Sequence, residues 1–477
     1  MPFQLPRRKF LAAGAGLLAA QSIGTRLAWG GKSVPSPGAR LSRFTQDVTV
    51  PLGHPLMGGG IAPSKSVADP LSANGVVLEG AGPTVVLIAV DWCEIRNAAY
   101  DRWRAALAEA AQTKPEYVLL ASVHQHDAPV ADLRAEEILK ARKLEGSVCN
   151  LEFHEQAVRS VAAAVVAARK KSQPVTHIGT GQAKVDRVAS NRRYLTSDGQ
   201  VRYDRMSTTR DPLAREAAEG TIDPLVKTIS FWNGDQPLAA LNCYATHPMS
   251  SYGQGLVSSD FVGLARQRRQ GDQPGVQQIY FSGCSGNVTA GKYNDGAPLN
   301  RVELADRLYR GMAEAWKSTV RKPLNQWEVR IAPLTLEPRS SEGFSKSDLE
   351  AQLVAGQKPF DQCLAAMGLS WRERLEAGQQ LQVPAVDFGT AQFLLLPGET
   401  YIEYQLYAQQ VRPDSFVAVA GYGECATGYV PIERAWQEQD GNLRDWCWVA
   451  PGAEAPLKAA IREALGVAAE SATNAAN

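Results

Sequence analysis

The sequence predicts an α/β fold, built as a single large mixed-sheet domain with flanking helices. Two short apolar runs, Val85 to Val90 and Tyr117 to Ser122, enclose a segment with helical spacing at 97–112. Strand-like and helical segments continue to alternate along the chain, which favours a sheet with some parallel pairing. No internal repeat or low-complexity linker divides the 477 residues, so one domain is the simplest organisation.

Later segments extend this pattern. Apolar runs without polar alternation, typical of buried strands, cover 226–232, 238–245, 278–282 and 391–396. Helical spacing also covers 153–170 and the neighbourhood of 301–317. We therefore expect a domain over 31–466, with a polar helical insertion at 340–385 and a flexible tail rich in Ala, Ser and Asn at 467–477.

Composition excludes several classes of function. The formal net charge is +1, with 44% hydrophobic and 21% charged residues, which is typical of soluble globular proteins. Because no stripe rich in Lys and Arg is present, nucleic acid is not an expected partner. No segment is long and apolar enough to predict a transmembrane span.

The first residues follow the pattern of an export signal. Arg7 and Arg8 precede an apolar run of small residues at 12–20, which is too short to span a bilayer. Adjacent arginines at this place resemble a twin-arginine signal. We therefore predict a signal peptide at 1–30, the twin-arginine export machinery as a partner, and a periplasmic or extracellular protein.

The cysteines do not follow a metal-binding spacing. None of the seven lies in a CxxC pattern, so a cysteine zinc site is not expected. Their odd number leaves at least one thiol free. Cys425 and Cys447 are the candidate pair for a disulfide in an oxidising compartment.

Histidines that follow apolar runs are candidate metal ligands. His124 and His126 follow the second predicted strand, and side chains two apart in an extended segment share a face. His247 follows the run at 238–245. A hydrolytic zinc site needs about three protein ligands and an open position, which His124, His247 and a carboxylate would provide. The alternative for each histidine is a hydrogen-bonded structural role.

Two further side chains fit such a site. Glu399 follows an apolar run and the turn-forming pair Pro397 and Gly398, although a solvated turn residue or a helix cap is the alternative. Tyr429 follows a glycine-rich stretch and could ligate a metal or stabilise an oxyanion, although a core tyrosine is the alternative.

Two loops could contact a substrate. The segment 282–289 (SGCSGNVT) follows a predicted strand, and its small residues allow close approach of backbone N–H groups to a ligand. It is neither a Walker A motif nor a nucleophile elbow. Arg192 could place a guanidinium on a carbonyl or carboxylate group, although a surface turn is equally compatible.

In this order, the segments resemble the neutral, non-lysosomal ceramidases, a family of zinc-dependent amidases. The segment 122–129 (SVHQHDAP) looks like the family's S-x-T-H-T-H-S-G-P, and 286–289 (GNVT) looks like its G-D-V-S-P loop. The other similar segments are 44–58, 85–94, 191–192, 245–248 (ATHP), 259–263 (SDFVG), 396–399 (LPGE) and 428–430 (GYV).

The resemblance implies a Zn²⁺ cofactor and assigns roles to particular residues. The implied zinc ligands are His124, His247, Glu399 and Tyr429. His126 would lie beside the metal and share in catalysis with Glu399 and Tyr429. Arg192 and Thr289 would bind the substrate, which the resemblance implies to be a small or lipid-like N-acyl compound.

The sequence also departs from the family pattern. Thr and Ser of the histidine motif are replaced by Gln125 and Asp127, and the loop serine by Thr289. Asp127 is a further candidate for substrate binding and favours a more polar or cationic substrate region. The chain after Pro451 is too short for the family's carboxy-terminal immunoglobulin-like domain.

These residues predict an exported zinc hydrolase that uses a zinc-activated water, and the resemblance implies that the bond cleaved is an amide. One alternative keeps the metal centre and cleaves an ester, a lactone or a glycoside. A second alternative is an exported ligand-binding protein without turnover. A serine hydrolase is disfavoured, since no serine lies in an elbow motif.

Overall fold

Three β-sheets, each with one parallel pair of strands, form the framework of the protein. The computed structural model describes residues 38–356 and 358–468, which belong to one compact unit. The strands are β1 Arg40–Asp47, β2 Ser66–Val67, β3 Ser72–Glu79, β4 Val85–Val90, β5 Glu94–Arg96, β6 Val118–Ser122, β7 Val130–Asp132, β8 Gln173–Pro174, β9 His177–Lys184, β10 Ser190–Asn191, β11 Tyr194–Leu195, β12 Val201–Arg202, β13 Leu225–Asn233, β14 Gln236–Tyr244, β15 Leu256–Val257, β16 Gln277–Ser282, β17 Val288–Thr289, β18 Val320–Pro323, β19 Glu328–Leu334, β20 Leu381–Asp387, β21 Ala391–Leu395, β22 Glu399–Thr400, β23 Phe416–Ala420 and β24 Tyr429–Val430. The α-helices are α1 Asn97–Ala111, α2 Leu133–Lys140, α3 Leu151–Arg169, α4 Pro212–Glu216, α5 Asp260–Asp272, α6 Leu299–Lys317, α7 Lys346–Ala355, α8 Pro359–Glu376, α9 Ile402–Val411, α10 Glu433–Gln437 and α11 Glu454–Ala464.

The sheets are mixed, which confirms the predicted fold class. The first sheet has the strand order β6-β4-β3-β1-β8, the second β16-β14-β13-β9-β18 and the third β19-β20-β21-β23. The parallel pairs are β4 with β6, β14 with β16, and β21 with β23. One strand of each pair, namely β6, β14 and β21, precedes a residue of the candidate site.

The parallel strands are buried because their sequences are apolar on both faces. All residues of β4 and of β6 are buried, as expected for parallel strands covered on both sides. The predicted runs at 85–90, 226–232, 238–245, 278–282 and 391–396 agree with β4, β13, β14, β16 and β21.

Helices cover the outer faces of the sheets. Helix α3 packs on β1 and on α1, whereas α5 and α6 pack together beside the second sheet, and α11 covers β19. Helix α3 begins after Asn150, whose side chain accepts a hydrogen bond from Phe153 N–H, a common N-cap. Helix α1 begins at Asn97 without a side-chain cap. Its first N–H instead donates to the buried carboxylate of Glu424 at 2.6 Å.

The segment 340–385 contains α7 and α8, and α8 is part of the main core. Buried residues of α8 include Cys363, Met367 and Trp371, which belong to the same apolar cluster as β4 and β6. One face of α8 therefore packs in this core.

Within the described ranges, no helix combines the length and apolarity that crossing a bilayer requires. The predicted signal peptide at 1–30 and most of the predicted tail lie outside the described residues.

The predicted disulfide between Cys425 and Cys447 is wrong for this structure. All seven cysteines are described, and all are buried free thiols. The Cys425 thiol donates to the Gly423 carbonyl at 3.2 Å, and the Cys447 thiol donates to the Tyr429 carbonyl at 3.4 Å. Each thiol therefore has a backbone partner inside a packed core, as small buried cysteines commonly do.

Candidate metal centre

One strand end from each sheet contributes a side chain to a single buried cluster. His124 follows β6, His247 follows β14, and Glu399 follows β21 after a short turn. One ligand atom of each residue lies within 4.8 Å of the others, and all three residues are buried. Carboxyl ends of strands in α/β folds are common places for binding sites.

The local backbone holds these side chains in place. His124 adopts a left-handed conformation, with φ of 73°, which is uncommon for a residue with a side chain. Its N–H donates to the Trp92 carbonyl at 2.9 Å. Gly398 also has positive φ, and a Cβ there would lie 2.7 Å from the Gly428 carbonyl. Glycine is therefore needed at the turn that presents Glu399, which pairs with Tyr429 between β22 and β24.

Backbone carbonyls fix the orientation of both histidines. Nδ1 of His124 lies 2.9 Å from the Cys93 carbonyl, and Nδ1 of His247 lies 2.5 Å from the Ser285 carbonyl. A carbonyl only accepts hydrogen bonds, so each Nδ1 carries the proton. In the neutral imidazoles, both Nε2 atoms then present lone pairs to the cluster.

The cluster therefore fits a cation. Oε2 of Glu399 lies 3.0 Å from Nε2 of His247 and 3.3 Å from Nε2 of His124. Nε2 of His124 has no hydrogen-bond partner among the described residues. Two imidazole nitrogens and one carboxylate form a donor set used by hydrolytic zinc sites. These three residues could hold a metal ion.

The charges within the cluster shift its pKa values in opposite directions. Burial alone would raise the pKa of Glu399, but His124 and His247 outweigh burial and lower it. Burial lowers the pKa of His247 to about 4, and the nearby charge of Arg192 adds to this effect. Burial alone would lower the pKa of His124, but the adjacent carboxylate of Glu399 outweighs burial and raises this pKa. Glu399 is therefore an anion, and His247 is neutral near pH 7.

Arg192 and Tyr429 lie beside this cluster. The guanidinium of Arg192 donates to the Tyr429 phenol at 2.8 Å, and its second terminal nitrogen lies 3.4 Å from Nε2 of His247. Strand β10 positions Arg192 by pairing with β17. Burial raises the pKa of Tyr429 despite the adjacent guanidinium, so the phenol keeps its proton.

His126 faces the same space from the first sheet. Its ring centroid lies 5.0 Å from that of His124 and 5.9 Å from that of His247. Both ring nitrogens are buried and have no hydrogen-bond partner among the described residues. Burial and the neighbouring imidazoles lower the pKa of His126 well below its ordinary value, so its free form is a neutral base.

The cluster forms the floor of a cavity of about 690 Å³, the size range of small-ligand sites. His124, His126, Arg192, Glu399 and Tyr429 all line it. Apolar and aromatic walls are provided by Met57, Met249, Tyr203, Tyr252, Phe360 and Trp446. Charged side chains, Arg202, Asp204, Glu438, Arg444 and Asp445, also line it. The cavity therefore suits a ligand that has both an apolar portion and polar groups.

The structure brings Thr289 and Asp127 close to the site but not into the described lining of the cavity. The Thr289 hydroxyl donates to the carbonyl of Met206, a lining residue, at 3.0 Å. The Asp127 carboxylate accepts from Gly253 N–H at 2.9 Å, next to the lining residue Tyr252. Direct substrate contact by either residue stays a prediction.

Sequence reasoning missed several residues of this site. Tyr422 stacks on His124, with centroids 4.2 Å apart, and its hydroxyl is 2.8 Å from that of Ser285. Cys93 lines the cavity from the turn between β4 and β5, and Trp446 forms part of its wall. A glycine on each side of Tyr422 and the position of Cys93 at a strand end were available signals. Trp446 lies in a segment without a distinctive pattern.

Comparison with known proteins identifies the fold. No protein-family model matches the sequence, and no curated protein matches it. The structure is similar to that of neutral ceramidase from Pseudomonas aeruginosa, with a TM-score of 0.65 and 17% identity over 91% of this chain and 76% of that chain. This chain has a ceramidase-like fold. A structure described as a ceramidase complexed with C2 gives a TM-score of 0.64 and 16% identity over the same shares of the two chains.

Proposed function

We propose that this protein is a zinc-dependent hydrolase that cleaves the amide bond of an N-acyl substrate, with N-acyl sphingoids as the first candidates. The convergence of His124, His247 and Glu399 at the floor of a cavity carries this proposal. The ceramidase-like fold supports the choice of an amide over other bonds. Tyr429 is proposed as the fourth ligand, since its strand pairs directly with Glu399.

Each residue around the floor has a proposed chemical role. A bound zinc ion lowers the pKa of water towards neutrality and polarises a carbonyl group. Glu399 orients the attacking water. The guanidinium of Arg192 and the phenol of Tyr429 stabilise negative charge on the carbonyl oxygen, because both are preorganised donors in a buried site.

His126 is proposed to move the proton. Its ring nitrogens are buried and unpartnered among the described residues, its ring lies 5.0 Å from that of His124, and it lines the cavity. A neutral imidazole can accept a proton from the attacking water and then donate it to the leaving nitrogen. The lowered pKa of His126 keeps it in the neutral form that begins this cycle.

The experiment combines metal analysis with a substrate panel. Purified protein is treated with a chelator, reloaded with zinc, and assayed on N-acyl sphingosine, N-acyl amino acids, an aryl ester, a lactone and an aryl glycoside. We expect amide cleavage that is lost with the metal and restored by zinc. Cleavage of only the ester, lactone or glycoside would overturn the amide assignment. Ligand-induced thermal stabilisation without product or stoichiometric metal would establish a binding protein instead.

A further inference from the structure

Trp446 forms a wall of the cavity directly beside the metal centre. Its backbone carbonyl accepts the N–H of Tyr429 at 2.9 Å, so the two residues are fixed side by side. Its indole ring is nearly parallel to that of Phe360, with centroids 6.2 Å apart. Both residues line the cavity, and Trp446 is half-buried. Its exposed ring surface therefore faces the space that a ligand would occupy.

A buried ion pair holds the indole from behind. The indole N–H of Trp446 donates to Oε1 of Glu94 at 3.0 Å. Oε2 of Glu94 accepts from the guanidinium of Arg96 at 2.7 Å, and both side chains are 0% exposed. Arg96 in turn donates to the Ala426 carbonyl at 3.0 Å and lies over the Trp448 ring at 4.5 Å.

Glu94 has no part in the chemistry proposed above. It lies behind the described lining of the cavity, and its two carboxylate oxygens are bonded to Trp446 and Arg96. Burying a carboxylate and a guanidinium is costly in free energy, and such a pair is a weak source of stability. A charged acceptor does, however, hold a donor more firmly than a neutral one. The pair is well suited to fixing the orientation of the indole.

We propose that Trp446 contacts the apolar portion of the substrate and determines chain-length selectivity, and that Glu94 is a positioning residue acting through the Trp446 indole. The identity of the apolar portion, an acyl or sphingoid chain, rests on the proposed function. An aromatic ring fixed by its N–H and by its stacking partner offers a rigid apolar surface at little cost in side-chain entropy. Substrates with longer chains gain binding energy from this surface, and short ones do not.

The test compares Trp446→Phe, Glu94→Gln and Glu94→Ala on N-acyl substrates of short and long chain. Trp446→Phe keeps an aromatic ring but removes the donor to Glu94. We expect it to raise KM for the long-chain substrate by roughly fourfold, about the contribution of one methylene group, with kcat within about twofold. Glu94→Ala should have the same effect, whereas Glu94→Gln, which keeps an acceptor oxygen, should restore most of the selectivity.

A double-mutant cycle separates positioning from general structural damage. If Glu94 acts through the indole, Glu94→Ala should change KM little further in the Trp446→Phe background. Additive effects, or an unchanged chain-length dependence in Trp446→Phe, would overturn the inference. Because loss of Glu94 leaves the buried Arg96 with only the more distant Asp132, at 3.5 Å, as an ion-pair partner among the described residues, Glu94→Ala could fail to fold, in which case Trp446→Phe and Glu94→Gln decide the matter. Trp316→Phe is the matched control, since Trp316 on α6 stacks on Trp232 of β13, away from the residues that line the cavity.

A binding measurement keeps this inference separate from the proposed function. Fluorescently labelled N-acyl amides of short and long chain are titrated into chelator-treated protein, and binding is followed by fluorescence polarisation. If the protein prefers long chains and Trp446→Phe removes this preference, the inference is supported. This holds even if no amide is cleaved, because the absence of cleavage would contradict only the proposed activity. A preference that survives Trp446→Phe, or no preference in the original protein, overturns the inference.

Discussion

The guanidinium of Arg192 donates a hydrogen bond of 2.8 Å to the phenol of Tyr429, although the two residues are 237 positions apart. The same guanidinium reaches to 3.4 Å from Nε2 of His247. Arg192 therefore connects the Tyr429 phenol with the buried cluster. A substrate carbonyl at the floor of the cavity would lie near both the guanidinium and the phenol.

The first prediction concerns this phenol. Tyr429→Phe removes the hydroxyl and leaves the ring, so the fold should be retained. We expect kcat to fall by roughly a hundredfold, as when one preorganised donor is lost, and zinc affinity to weaken. Kinetics and equilibrium dialysis measure the two effects. Wild-type kcat together with wild-type zinc affinity would contradict both proposed roles of Tyr429.

The second prediction concerns the histidine ligands. His124→Ala and His247→Ala should each remove bound zinc and activity together, because each takes away one of three converging donors. Metal content by mass spectrometry and activity on the amide substrate check this. The control is His177→Ala, because His177 lies near the surface, where its ring is hydrogen-bonded to the Thr176 hydroxyl. Normal zinc content in either ligand variant would refute the metal assignment.

The third prediction separates proton transfer from metal binding. His126→Gln should retain zinc if the metal is held by His124, His247 and Glu399, and should lose it if the metal is held by the second converging group, Cys93, His124 and His126. We expect kcat to fall by roughly a hundredfold or more with little change in KM. If the variant instead loses its zinc while folding normally, His126 is a ligand and not a proton carrier.

The fourth prediction concerns stability at acidic pH. Burial lowers the pKa of His54 and of His154 to about 4, from an ordinary value of 6.5. Between these values the unfolded chain binds more protons than the folded one, so the free energy of unfolding should decrease as the pH falls from 6.5 towards 4. Each histidine can contribute up to about 3 kcal/mol to this change in the free energy of unfolding.

Denaturant titrations at several pH values measure this slope. The double variant His54→Gln and His154→Gln should flatten it, whereas the surface variant His177→Gln should leave it unchanged. The His54 ring is 2.6 Å from the Pro55 carbonyl and accepts from Asn150 N–H at 3.2 Å. Protonation would remove that acceptor, which adds to the desolvation penalty. If the slope persists in the double variant, titratable groups other than His54 and His154 cause it.

The fifth prediction concerns export. Replacing Arg7 and Arg8 together by lysine should keep the protein in the cytoplasm if a twin-arginine signal is read. Cell fractionation followed by immunoblotting measures this, with Arg26→Lys as a control in the same segment. Continued export of the double variant would show that another route is used.

The strand ends could be predicted from sequence because the information is local. The apolar runs before His124, His247 and Glu399 each appear as strands, and parallel strands carry their carboxyl ends to one edge. Which ends meet is set by distant backbone hydrogen bonds, such as Ser122 N–H to the Tyr422 carbonyl at 2.9 Å. No single segment of the sequence therefore predicts that the ends of the three sheets meet.

The supporting residues could not be predicted for the same reason. Glu94 and Trp446 are 352 positions apart, and neither lies in a motif. The pairing of Cys425 with Cys447 was wrong because closeness in the chain and an assumed compartment do not show where a thiol points. At the start of α1, no side chain of the preceding residue caps the helix, and the buried carboxylate of Glu424, from a distant loop, accepts the N–H of Asn97.

The buried thiols have a consequence for how the native state forms. Since all seven cysteines, each within the described ranges, are free and enclosed in the core, the native state does not depend on an oxidant. The described fold therefore forms without a step of oxidative cross-linking or disulfide isomerisation.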